Sequence, residues 1–275
     1  NGGGMKDSTG LGISNIIHDQ QGFIWFGNWG KGLVRYNPED NSIKHFLSIE
    51  HDSATIASNF VNIIFQDQSR TLWAGGPGGL NRLDPKTGRF KRYMPGNFIS
   101  SLYEDSQGAL WAGTENGLLR YDPRNDQFST FLDPQSEINT SALGGITEDN
   151  KKFLWFVSHA GVVKLDPLTK EIFIYGRRFG INPGSLQLWS RTYKDRKGRL
   201  FFSHDNGFYT LSPDDVAVTT ELKIIVTDFF INSLPLLPGK GPLQIPVEEI
   251  GDVDLNYEQN NITFNFAAID YREPE

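Results

Sequence analysis

ISSLYEDSQGALWAGTENGLLRYDPRNDQFSTF, residues 99–131, is a skeleton that recurs along most of the chain. With Trp111 as origin, Asp105 stands six residues before it, Gly113 two after, Gly117 six after and Pro123 twelve after. Trp73 carries Asp67, Gly75, Gly79 and Pro85 at the same offsets, and Trp155 carries Asp149, Gly161 and Pro167, with Val157 in place of the first glycine. Phe201 replaces the tryptophan in the last copy, between Asp195 and Gly207, with Pro213 beyond. The first copy has Asp19, Trp25 and Gly27, then one inserted residue before Gly32 and Pro38. The anchors Trp25, Trp73, Trp111, Trp155 and Phe201 are thus 48, 38, 44 and 46 residues apart. A period of about 40 to 50 residues marks a repeat architecture, in which no unit buries its apolar face alone.

The periodicity within one copy sets its shape. Ile99, Leu102 and Tyr103 form a short apolar run that ends at Asp105-Ser-Gln-Gly108, where the carboxylate caps a turn and the glycine supplies positive φ. Residues 109–113, 118–121 and 127–131 read as three further strands. Four short antiparallel strands per period make one propeller blade, so the chain is predicted all-β, with five four-stranded β-propeller blades. A stacked helical array fails for want of a 3.6-residue apolar pattern. The repeated tryptophan is expected to pack between blades, each hiding roughly 150 to 250 Å².

Composition excludes several classes. The net charge of −7 argues against nucleic-acid binding, and the absence of cysteine excludes disulfides and thiolate metal sites. No apolar run reaches membrane-spanning length, and NGGGMKDSTG lacks a signal-peptide pattern. Residues 217–275 hold ten acidic and three basic residues, against 23 of each before them. The composition therefore changes where the repeats stop. The expected organisation is a linker at 1–10, propeller repeats at 11–216 and part of a sandwich at 217–275.

In a propeller the loops between second and third strands and the connections between blades open on one face, and the tight turns on the other. The connections vary in length and composition, which makes their face the candidate for recognition. It carries Asn28, Trp29 and Lys31 in copy one, Thr114 and Glu115 in copy three, His159 in copy four, and His204 and Asp205 in copy five. Arg177, Arg178, Trp189 and Arg191 lie in or beside the connection before copy five. Aromatic rings with Asn, Arg and acidic neighbours suit stacking on sugars and hydrogen bonding to hydroxyls. His159 and His204 hold nearly equivalent positions in adjacent copies, so they could converge. The five histidines show no metal-ligand spacing, no nucleophile elbow is present, and GGPGG at 75–79 does not open a helix. No catalytic residue, metal or cofactor is expected. Asn139 and Asn261 fit the glycosylation tripeptide.

Beyond the repeats, residues 223–232, KIIVTDFFIN, read as a strand, and residues 254–271 as an alternating pair of strands with Ile262, Phe264 and Phe266 on one face. Together they make an incomplete sandwich.

The repeat D-x-x-G-x-L-W-x-G-(x)-G-L-x-R-Y-D-P resembles the regulator-propeller repeats of hybrid two-component sensors from glycan-degrading bacteria. The stretches LKIIVTDFFINSLPL and LNYEQNNITFNFAAIDYREPE resemble the opening of the fibronectin-like three-tyrosine sandwich that follows those propellers. The resemblance implies a non-enzymatic, periplasmic sensor fragment of an inner-membrane protein that binds oligosaccharides and signals, within a homodimer, through the sandwich and a membrane helix to a cytoplasmic histidine kinase controlling transcription of glycan-use genes. It also implies that the five blades form part of a larger ring, and it carries over no ligand-binding residue. Two alternatives stay open: a propeller lyase using His159 or His204 with a metal, and a protein-interaction scaffold.

Overall fold

The computed structural model describes residues 12–133, 136, 138, 142–186, 191–214, 223–232, 234–235, 258 and 261–269. The chain divides into two units, Asn1–Asp215 and Val216–Glu275.

The first unit is a series of antiparallel meanders. Blade one comprises β1 (Ile13–His18), β2 (Ile24–Asn28), β3 (Gly32–Tyr36) and β4 (Ile43–Phe46). Blade two comprises β5 (Ile63–Gln66), β6 (Leu72–Gly76), β7 (Gly79–Leu83) and β8 (Phe90–Tyr93). Blade three comprises β9 (Ile99–Glu104), β10 (Leu110–Thr114), β11 (Gly117–Asp122) and β12 (Gln127–Thr130). Blade four comprises β13 (Gly144–Glu148), β14 (Leu154–Ser158), β15 (Gly161–Leu165) and β16 (Ile172–Tyr175). Blade five shows three described strands, β17 (Tyr193–Lys194), β18 (Leu200–His204) and β19 (Gly207–Leu211); the expected fourth lies outside the described residues. First strands pack on first strands, β1 on β5, β5 on β9 and β9 on β13, so the architecture is that of propeller blades.

Side chains alternate across each second strand, and this alternation builds the core. Trp25 joins Val61, Ile64 and Leu72 of the next blade. Trp73 joins Ile99, Leu102 and Leu110, and Trp111 joins Ile146, Leu154 and Phe156. A tryptophan thus faces the following blade, while its strand neighbours, such as Ala74 and Ala112, face the preceding one. Trp73, Trp111 and Trp155 are 1%, 0% and 0% exposed.

The aspartate of the repeat has a second task besides its turn. Asp105 Oδ1 accepts the backbone N–H groups of Gln107 and Ala109, both at 2.9 Å, and Oδ2 accepts the Trp111 indole N–H at 2.8 Å. The same indole bond joins Trp25 to Asp19 at 2.6 Å, Trp73 to Asp67 at 2.8 Å and Trp155 to Asp149 at 2.8 Å. Burying an indole N–H without a partner is costly, and the six-residue spacing brings its acceptor. Each ring also meets an aromatic residue at the end of its blade, Phe46, Tyr93, Phe131 or Tyr175, with centroids 4.6 to 5.6 Å apart. Its cross-strand partner Arg35, Arg82, Arg120 or Lys164 lies 5.3 to 5.8 Å from the ring centroid.

The turn after each aspartate needs a left-handed residue. Gly22, Gly108 and Gly198 supply it at φ 91°, 80° and 82°, and Arg70 and Lys152 are held there at 65° and 75°. An L side chain in that region costs roughly 1 to 2 kcal/mol.

In the second unit, β20 (Lys223–Ile231) pairs antiparallel with β22 (Ile262–Ile269) and, through a hairpin, with β21 (Leu234–Pro235). The sequence reading placed a strand pair at 254–271. Within that stretch the described structure shows β22, registered with β20 at eight positions; residues 254–257, 259–260 and 270–271 of the expected pair lie outside the described residues. Ile262 and Phe264 are exposed.

Candidate functional site

The blade connections fold against the loops between second and third strands, as the topology requires. At blade one, Gly30 and Gly32 donate to the Asn59 carbonyl at 2.9 and 2.8 Å, Val61 donates to the Asn28 carbonyl at 3.1 Å, and Trp29 bridges Phe60. The connection at 47–59 reads as polar and variable, yet it is firmly held. Arg92 donates to the Thr55 and Asp52 carbonyls at 2.9 and 2.8 Å, and Ile56 is fully buried. Gly76 lets it approach, since a Cβ there would stand 2.2 Å from the Phe60 carbonyl oxygen. At blade five, Asp205 donates to the Ser185 carbonyl at 3.0 Å and Leu186 bridges His204.

Several candidate binding residues turn out to be loop braces. In four of the five copies the residue three beyond the anchor accepts a backbone N–H from its own loop; in the copy of Trp73 that residue is Gly76. Asn28 Oδ1 accepts from Lys31 at 3.2 Å, Thr114 Oγ1 from Asn116 at 3.1 Å, Ser158 Oγ from Ala160 at 3.1 Å and His204 Nδ1 from Asn206 at 3.2 Å. Asn28, Thr114 and Ser158 are buried. His204 is therefore the counterpart of Ser158, and His159 stands one residue later in the repeat, in the turn after β14. The His204 ring lies 4.5 Å from that of Tyr209, whose hydroxyl accepts the Asn182 N–H at 3.0 Å. Among the described residues no group of three or more histidine or acidic side chains forms a metal cage.

What stays open to solvent is aromatic and basic. Trp29 and Phe60 are 42% and 43% exposed and meet edge to face at 6.0 Å; Phe60 is absent from the sequence-derived set, though it follows the variable connection directly. Arg177 and Arg178 are exposed on a one-turn 3-10 helix, Arg177–Phe179, with the Arg178 guanidinium 5.4 Å from the Phe179 ring centroid. His159, Asp205 and Arg191 are also exposed, Glu115 accepts the Phe98 N–H at 3.4 Å, and Lys31 is half-buried. Trp189 lies outside the described residues. The set thus falls into a group around Trp29 and Phe60 in blade one and a group around His204, Tyr209 and the connection before blade five.

The opposite face, with the tight turns, holds a denser polar cluster. Asp126, in the turn before β12, receives Arg82 at 2.9 and 3.2 Å, Tyr93 at 2.6 Å, Tyr121 at 2.5 Å and the Lys91 ammonium. Burial pushes its carboxyl up, but these hydrogen bonds and the Arg82 charge outweigh that and hold it well below the usual carboxylate range. The cluster ties blade two to blade three.

Among known proteins, a two-component regulator propeller family model matches residues 93–116. Histidine kinase P4 of Formosa agariphila is 26% identical over 268 residues, covering 90% of this chain and 19% of that protein. The crystal structure of the extracellular domain of a B. thetaiotaomicron hybrid two-component system superposes with a TM-score of 0.68 at 23% identity, over 94% of this chain and 35% of that one. The virginiamycin B lyase of Staphylococcus aureus gives a TM-score of 0.53 at 18% identity over 73% of this chain and 67% of that one. The chain therefore spans about a fifth of the kinase and about a third of the sensor domain. Among the described residues no helix is long and apolar enough to cross a membrane. Repeat, fold and relatives converge: residues 93–116 match the two-component regulator propeller model, and the chain shares the fold of the extracellular domains of hybrid two-component systems.

Proposed function

We propose that this chain is a non-enzymatic sensory segment of a hybrid two-component protein, held on the periplasmic side of an inner membrane. It responds to an oligosaccharide, works within a homodimer, and signals through the unit that begins at Val216 to a cytoplasmic histidine kinase and so to transcription of glycan-use genes. The observation that carries the reading is the fold likeness to such an extracellular domain over 94% of the chain. The exposed Trp29–Phe60 pair and the basic connection before blade five are the surfaces that suit stacking on a sugar. A ligand shifts a signalling equilibrium only by its differential affinity for two states, so binding without consumption is the property to seek.

Thermal shift with a panel of defined oligosaccharides, with each sugar recovered and analysed afterwards, tests the reading. A sugar that raises the melting temperature and returns unchanged supports it, and Trp29→Ala is then expected to abolish the shift. A sugar that is consumed overturns it in favour of the lyase reading, and silence across the panel favours a protein partner.

A further inference from the structure

The tight-turn side of the first unit has two boundaries built on one plan and finished differently. Between blades two and three, Arg82 and Lys91 face each other across β7 and β8, and both bind the Asp126 carboxylate. Between blades one and two, Arg35 and Lys44 form the same cross-strand pair on β3 and β4. The residue in the place of Asp126, three beyond the proline of the turn, is Gly88, with φ 70° against 51° for Asp126. Phe46 and Leu83 stand where Tyr93 and Tyr121 supply hydroxyls at the other boundary.

Where the second boundary is filled, the first is open. A cleft of about 390 Å³ lies between blades one and two, with Arg35, Lys44, Arg70 and Lys86 around it and Phe23 and Phe46 in its wall. Neither Arg35 nor Lys44 meets a carboxylate among the described residues. The Arg35 guanidinium lies 4.2 Å from the Phe23 ring centroid and the Lys44 ammonium 4.9 Å from that of Phe46. Asp19, the one acid lining the cleft among the described residues, is already engaged by the Trp25 indole and the N–H groups of Gln21 and Phe23. A Cβ placed on Gly88 would stand 3.4 Å from Lys44 Nζ, so a carboxylate projecting from this point would reach the cation as Asp126 reaches Lys91.

We propose that this cleft binds a carboxylate-bearing small molecule, whose carboxylate sits on Arg35 and Lys44 in the place that Asp126 fills at the next boundary. A guanidinium paired with an ammonium on an aromatic wall favours a planar anion. The site stands apart from the sensory reading, since it binds whether or not occupancy is signalled.

The test is calorimetric titration of the full chain with glucuronate at low salt, with glucose as the neutral control. The wild type is expected to bind glucuronate and not glucose. Gly88→Asp places the carboxylate in the chain, in a backbone conformation that Asp126 already adopts, and is expected to weaken glucuronate at least about tenfold while raising the melting temperature. Lys44→Gln, at an exposed position, is expected to weaken it by a similar factor and decides the matter if Gly88→Asp fails to fold. No glucuronate binding by the wild type, equal binding of glucose, or affinity unchanged in both variants overturns the site. An oligosaccharide response that persists in Gly88→Asp leaves the sensory reading standing by itself.

Discussion

Blade three and blade five use the same aspartate for different ends. Asp105 divides its two oxygens between its own turn and the Trp111 indole, and both residues are buried. Asp195 keeps the turn, accepting Lys197 and Arg199 N–H groups at 2.9 Å, but Phe201 has no N–H to offer. Its free oxygen takes the exposed Arg199 side chain at 2.7 Å instead. The turn geometry survives loss of the tryptophan; the link between turn and core does not. The aspartate is thus a turn-former by itself and a core clamp only with an indole six residues on.

That contrast is broken most directly by truncating the anchors. Trp111→Ala is expected to cost about 3 to 5 kcal/mol in chemical denaturation, and Phe201→Ala clearly less, since Phe201 is only half-buried; equal losses would refute the distinction. Asp105→Ala removes three hydrogen bonds and leaves an indole N–H buried and unpaired, so a loss of about 2 to 4 kcal/mol is expected. Asp195→Ala should lose less, and a larger loss there would show that the turn, not the clamp, matters.

Acid sharpens the comparison further. The folded Asp126 carboxyl lies below its unfolded value, so the stabilisation it gives is present above about pH 4 and is lost as the pH falls towards the folded value. Denaturation midpoints followed from pH 6 downwards should fall less steeply in Asp126→Asn than in the wild type, and parallel curves would deny the carboxylate its role between blades two and three. The smallest expected effect concerns the turn alone. Lys152→Gly relieves a left-handed lysine and should stabilise by about 1 kcal/mol, and the same change at Arg196, a position not at positive φ, should not.

The blades were legible because one ring type recurs at one offset from its aspartate, turn glycine and proline, and alternation around Trp111 leaves few other ways to bury it. The indole clamp was visible as a constant spacing of six residues, but the spacing alone reads equally well as a turn. The recognition face was harder. Asn28, Thr114, Ser158 and His204 do one job, accepting a loop N–H, with four different side chains, so identity hides their equivalence. Three of these four, Asn28, Thr114 and His204, belong to the ligand-facing set read from the sequence, and the structure adds that each accepts a loop N–H. Phe60 escaped because it lies at the start of a copy, where an aromatic residue passes for core. The vacancy opposite Arg35 and Lys44 was readable only by aligning Gly88 with Asp126, a comparison of turns rather than of strands.

The clamp also bears on the order in which the molecule folds. Aspartate and indole are separated by six residues, and the closing aromatic of the blade follows about twenty residues later, while the surface each tryptophan covers belongs to the next blade. Closing so short a loop costs little chain entropy. Each of the first four blades can therefore organise its own hairpin around a satisfied indole before its neighbour is in place, and assembly is expected to run along the chain as repeat proteins do, each finished blade offering the next a ready surface. Blade five, whose ring makes no such bond, would depend for its order on the blade before it.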